Sequence, residues 1–341
     1  MTKLGRTLLA AALGAVVASG GQALAKKGGG SGGGGGDPGN TTPLDILFTV
    51  SDGSGLGTLY AMQDDGSGAT GLAATRGGAT WSPDGTQVAF YGLQDGYGIY
   101  VMDVEGGTPV KLIALQNLTA GHLDWCPVPD ADGAQRLAFT SRDESGTSSN
   151  DVFVARFDES GLLDVEAVTD SVGSERWLSW SPSGEQIGVQ YHSQIHVVDL
   201  ADRDAEGAPT VHVVYSSTRF SPGAVTWART SDTIAFSSYD GDHASSGASS
   251  LTDVFTIGLS HASGAWTGSA PTNVTNSPQD EEGGPSWSPD DSKLAVFDAY
   301  WRKGAGTGSA KTSIQVLDLA TGSRQSISTA GDSPVWKRSD P

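Results

Sequence analysis

From Thr80 onward the chain alternates short apolar runs with clusters of turn-forming residues. Gln87-Val88-Ala89-Phe90-Tyr91 is β-branched and aromatic and reads as a strand, as do Ile99-Tyr100-Val101-Met102 and Pro109-Val110-Lys111-Leu112. Ahead of them stand Thr80-Trp81 and the turn Ser82-Pro83-Asp84-Gly85. Pro83 presets φ at a turn corner, Asp84 can bond its own downstream backbone, and Gly85 accepts positive φ. The stretch predicts a hairpin and then two more strands, an antiparallel unit of four.

The unit repeats. Its anchor tryptophans are Trp81, Trp125, Trp180, Trp227, Trp287 and Trp336, at intervals of 44, 55, 47, 60 and 49 residues. That spacing suits four short strands with variable loops. Leu137-Ala138-Phe139, Ile187-Gly188-Val189, Ile234-Ala235-Phe236 and Leu294-Ala295-Val296 occupy the second-strand slot of later copies. The ends complement each other: Ile46 to Val50 and Thr58 to Met62 read as strands two and three of a unit without its Trp strand, and Pro334-Val335-Trp336-Lys337 is a Trp strand without its unit. Pairing the last strand with the first segment would close a ring and remove both sheet edges. The fold class expected is all-β, a six-bladed propeller of four-stranded antiparallel blades.

Trp-Ser-Pro-Asp-Gly followed by an Ile-Ala-Phe-like and a Tyr-Val-Met-Asp-like strand resembles the TolB-like β-propeller repeat. Residues 81 to 103 carry it nearly in full, Trp287 to Val296 well, and the copies at Trp125 and Trp227 loosely. The resemblance spans 44 to 338 and implies the six-bladed propeller. TolB family members carry an α/β domain ahead of the propeller; here residues 1–25 and 26–43 take that place.

Residues 1–25 read as a secretory signal: Lys3 and Arg6, an apolar run from Leu8 to Val17, and Ala23-Leu24-Ala25 as a small-x-small cleavage site. That run is too short to span a bilayer as a helix. The Gly-rich residues 26–43 read as a flexible linker, and residues 44–341 as the propeller. An exported protein, periplasmic or extracellular, is expected.

The 341-residue chain carries a formal charge of −19, and removal of Lys3 and Arg6 leaves 18 basic against 39 acidic residues. Such a surface repels nucleic-acid phosphates and anionic lipid headgroups, so neither nucleic acid nor membrane insertion is expected. Cys126 is the single cysteine, so no internal disulfide forms; it takes the Ser slot of its motif copy and is expected to be buried.

Catalytic motifs are weak, and no cofactor or metal site is assigned. His192 and His196, in one strand, would stand about 13 Å apart, too far to share zinc. Asp130-Ala131-Asp132-Gly133 and Asp240-Gly241-Asp242 lack the remaining ligands of a calcium loop. Strand alternation puts the Ser-Pro-Asp-Gly turns on one face of the ring and the entries to strand one, with the loops between strands two and three, on the other. Those loops are long at Arg142 to Asn150, Tyr239 to Leu251 and Ala299 to Thr312. Insertions on one face of a repeat fold commonly mark the binding face. Candidate ligand residues there are His122, Glu175, Arg176, Glu281, Glu282 and Asp332 around the channel mouth, with Trp301 and Arg302 as an interface anchor.

The leading expectation is a non-enzymatic, monomeric binding module for a protein or peptide partner in the cell envelope or medium. The alternative is a propeller enzyme, a polysaccharide lyase or hydrolase, with charged channel-mouth residues as acid and base. A regulatory propeller like that of prolyl-oligopeptidase-type peptidases fits less well, since this chain contains no hydrolase domain.

Overall fold

A computed structural model describes residues 44–115, 121–142, 149–217, 222–239, 252–277, 281–300 and 311–338. The expected signal, the linker, Trp301, Arg302 and most of the long loops lie outside these residues. Among the described residues there is no helix; the strands form six antiparallel sheets.

The first blade shows the pattern: strands Ala79–Trp81, Gln87–Gly92, Gly98–Asp103 and Val110–Ala114, hydrogen-bonded in that order. Blades two to five open on Leu123–Trp125, Glu175–Trp180, Gly223–Trp227 and Glu281–Trp287. Blade six combines both chain ends, with Asp332–Trp336 beside Ile46–Ser51, Gly57–Met62 and Thr70–Thr75. Ile46 pairs with Trp336 and Leu47 with Val335, which closes the ring as expected.

The turn after each anchor Trp follows from its sequence. In blade one the Gly85 N–H donates to the Ser82 carbonyl at 2.9 Å, and Gly85 takes φ 66°. The Asp84 carboxylate accepts from Ser82 Oγ at 2.7 Å and from the Thr86 N–H at 3.1 Å, and Ser82 Oγ accepts the Gln87 N–H. In blade five Asp291 replaces the glycine at φ 60°.

Six hydrophobic clusters make the core, one at each seam between blades, and each contains one anchor Trp. Second strands are apolar on both faces because both are covered: Val88 and Phe90 face the seam with blade six, Ala89 and Tyr91 the seam with blade two. Cys126 is fully buried as expected, and burial pushes its thiol up to about 11.

Candidate functional site

The residue just before each anchor Trp is Thr80, Asp124, Ser179, Thr226, Ser286 or Val335. These line the central channel and tie each blade to the next. The backbone N–H of Trp125 donates to Thr80 Oγ1 (3.3 Å), that of Trp180 to Asp124 Oδ2 (2.8 Å), that of Trp227 to Ser179 Oγ (3.0 Å) and that of Trp336 to Ser286 Oγ (2.8 Å). The two other seams use the indole: Trp81 Nε1 donates to the Val335 carbonyl at 3.0 Å, and Trp287 Nε1 to that of Thr226 at 3.3 Å. Every seam is thereby hydrogen-bonded at its innermost layer.

Two residues further up sits a second ring: Gly78, His122, Trp177, Ala224, Gly284 and Ser333, all lining the channel. Strand pairing shifts here by one residue in blades three to six, between Arg176 and Leu178, Gly223 and Thr226, Gly283 and Ser286, and across Asp332 to Val335. These are β-bulges, which re-aim side chains. Three of the bulged residues take left-handed backbone: Ala224 at φ 43°, Gly284 at 56° and Ser333 at 52°. For the two non-glycine residues this is strain of the kind found at ligand sites.

The second ring is lopsided. The His122 and Trp177 rings pack against each other on one side, tilted by 31° with centroids 3.6 Å apart, while the remaining four residues are small. A cavity of about 380 Å³ results, within the range of ligand pockets. Its walls continue to Gly55 to Gly57 and Thr75 to Gly77, loops of the face opposite the Ser-Pro-Asp-Gly turns, so the channel opens there. At the turn end two arginines cross the lumen. Arg338 Nη2 reaches Asp124 Oδ2 at 3.3 Å, and Arg229 Nη2 donates to the Trp336 carbonyl at 3.1 Å, each linking blades that are not neighbours.

Of the sequence candidates, the structure brings His122 and Asp332 to the channel wall. The His122 N–H donates to Thr140 Oγ1, and its carbonyl accepts from the Tyr91 hydroxyl. Burial, with the positive charge of Arg176 nearby, pushes the His122 ring down to about 3, so it is neutral at physiological pH. Asp332 is raised by burial. Arg176 is exposed and acts on the site only through its charge.

Glu175 and Glu282 do not line the channel. A strand without a bulge would put Glu175 on the face of Ser179; the extra residue at Trp177 reverses the alternation and turns Glu175 to the other face. There Glu175, 3% exposed, accepts from Thr169 Oγ1 at 2.6 Å, and burial raises it to about 7. Glu282 is turned the same way by the bulge between Gly283 and Ser286, where it accepts from Ser277 Oγ at 2.6 Å and pairs with Arg324. Burial raises its carboxyl too. Glu281 pairs with Ala299 at the head of its strand and does not line the channel either. The two buried glutamates sit in similar latches built on the segment entering their blade: Thr169 Oγ1 donates to Glu175 while the Ser171 N–H donates to Asp151, and Ser277 Oγ donates to Glu282 while Thr275 Oγ1 and the Ser277 N–H donate to Asp253.

Asp130 and Asp132 are occupied by Arg136 and Arg156, with ion pairs of 2.5 to 2.9 Å, and serve as an acidic turn braced by cations. His192 and His196 do not share one strand. His192 lies in a hairpin turn at φ 50°, and both rings pack on Tyr191, 4.6 and 4.9 Å away. Among the described residues no group of three His, Cys, Asp or Glu stands ready to hold a metal ion.

No protein-family model matches the sequence, and no curated protein matches it. Among solved structures, TolB from Acinetobacter baumannii matches with a TM-score of 0.59 at 18% identity, over 86% of this chain and 67% of that one. A TolB-type protein from Agrobacterium tumefaciens gives 0.55 at 15%, over 86% and 92%. The fold is that of the TolB propeller. Trp177, Arg229 and Arg338 were not singled out in the sequence. Trp177 stands three residues before an anchor Trp, as His122 does, and that shared register is the signal that finds it.

Proposed function

We propose that this chain is an exported, non-enzymatic binding module whose channel mouth, on the long-loop face, takes a protein or peptide partner. The observation that carries the reading is the channel itself: crossed by Arg229 and Arg338 at the turn end, open at the other, and shaped by bulged residues around the His122 and Trp177 pair. Such a blind, strained recess suits an inserted segment. The buried glutamates, the sequence's candidates for acid and base, are engaged at blade seams, which favours binding over turnover. Trp301 and Arg302 are proposed as further contacts on the same face. Export rests on the signal-like residues 1–25.

The test is capture of a partner from envelope extract and culture medium by the immobilised mature chain. Recovery should fall on Trp177→Ala, on Arg76→Glu at the mouth, and on Trp301→Ala with Arg302→Ala. It should persist with Glu185→Lys on the turn face. Equal recovery by all variants refutes the assignment of the face.

A further inference from the structure

The channel's closed end carries chemistry that the binding reading does not use. Arg229 lines it, and its guanidinium makes one hydrogen bond, through Nη2 to the Trp336 carbonyl; its Nε is buried without a partner. No carboxylate forms an ion pair with Arg229 among the described residues. Asp124, the acid nearest in the channel wall, is already taken by Arg338, Thr80, Ser179 and the Trp180 N–H. Asp291 spends its carboxylate on the turn, on the N–H groups of Arg229 and Thr230 and the hydroxyls of Thr230 and Ser231. Burial and the neighbouring charge of Arg338 press the Arg229 guanidinium down to about 9, so these acids under-compensate it. Further up, His122 is neutral and Asp332 is raised by burial. A chain of formal charge −19 thus keeps a partly buried cation, with no carboxylate partner among the described residues, at the bottom of its one described channel.

We propose that the closed end of the channel is an anion site in which Arg229 holds a carboxylate. A planar guanidinium is the side chain best fitted to a carboxylate, and burial strengthens the contact. The carboxylate belongs either to a free organic acid or to the C-terminus of a peptide entering from the open face. The ring pair of Trp177 and His122 above it offers an apolar wall for the body of the molecule. The peptide source rests on the binding reading given above; the free-acid source does not.

The test uses the full mature chain at pH 7 and fixed ionic strength. Calorimetric titration compares succinate and citrate with succinamide, and the tripeptide alanyl-alanyl-phenylalanine with its C-terminal amide. Acids should bind at least about tenfold more tightly than their amides, the loss expected when a charge-assisted hydrogen bond is removed. Preference among small acids points to a free ligand, preference confined to the tripeptide to a chain terminus. Arg229→Gln should erase the difference and Arg229→Lys retain part of it. Because the acid-to-amide ratio is read on the unaltered protein, it decides the matter even if a variant fails to fold. Equal binding of acid and amide, or a ratio unchanged in folded Arg229→Gln, overturns the anion site. Partner capture in the earlier assay is a separate readout, so the anion site can fail while the binding face stands.

Discussion

Glu175 offers a quantitative test of how the blades are latched. Its carboxyl is 3% exposed and is raised from 4.5 to about 7, first by burial and further by Asp151, against the lowering effect of the Thr169 hydroxyl. A group raised in the folded state adds stability that is fully present below the unfolded value and is lost as pH climbs through the folded one. The window therefore runs from about 4.5 to about 7, and at about 1.4 kcal/mol per unit the shift amounts to about 3 kcal/mol. Glu175→Gln keeps an acceptor for Thr169 and removes the titration. Urea unfolding of both proteins, followed by tryptophan fluorescence at pH 4, 5, 6, 7 and 8 and constant ionic strength, gives the difference directly. Glu282 and Asp332, also raised by burial, are common to both proteins and cancel. Wild type minus variant should fall by about 3 kcal/mol from pH 4 to pH 8, ending with the glutamine protein the more stable. A difference flat with pH would show that Glu175 is hydrated in solution and that the latch is misassigned.

Four further outcomes are expected. Trp180→Ala, which empties the seam between blades two and three and removes the indole bond to the Asp124 carbonyl while leaving the backbone N–H on the Asp124 carboxylate, should lower unfolding free energy by about 3–5 kcal/mol; a loss below about 1 would deny the seam role. Ser179→Ala strands the buried N–H of Trp227 and should cost about 1–3 kcal/mol, with the loss read in thermal unfolding. Ala224→Gly relieves left-handed backbone worth about 1–2 kcal/mol against a glycine entropy of about 0.5–1, so its melting temperature should hold or rise, and a clear fall would contradict the strained bulge. Cys126, its thiol raised to about 11, should resist iodoacetamide at pH 8 in the folded protein and react in urea; labelling of the native chain would show the seam to be open.

Much of the architecture was legible in residue order. The turn chemistry of Ser82 to Gly85, the Trp interval and the complementary ends are local or periodic signals, and the sheets, their order and the ring closure follow from them. The seam belt was also readable in principle, as a hydroxyl or carboxylate stands before five of the six anchor tryptophans. The site was legible only in part. His122 and Asp332 reach the channel, but Glu175 and Glu282 do not, because the inner strand that carries each of them gains a bulge, and in blade three no residue between Glu175 and Trp180 announces it. Side chains alternate with period two, so one inserted residue exchanges the channel face for the seam face.

By itself, then, the sequence determined the repeating unit, the number of blades and the face on which each loop lies, since these depend on turn residues and strand count. Only the tertiary structure decided what enters the channel. The packing of His122 on Trp177 and the crossing of the lumen by Arg229 and Arg338 join residues from different blades. Contacts of that kind exist only once the ring has closed, and no local pattern encodes them.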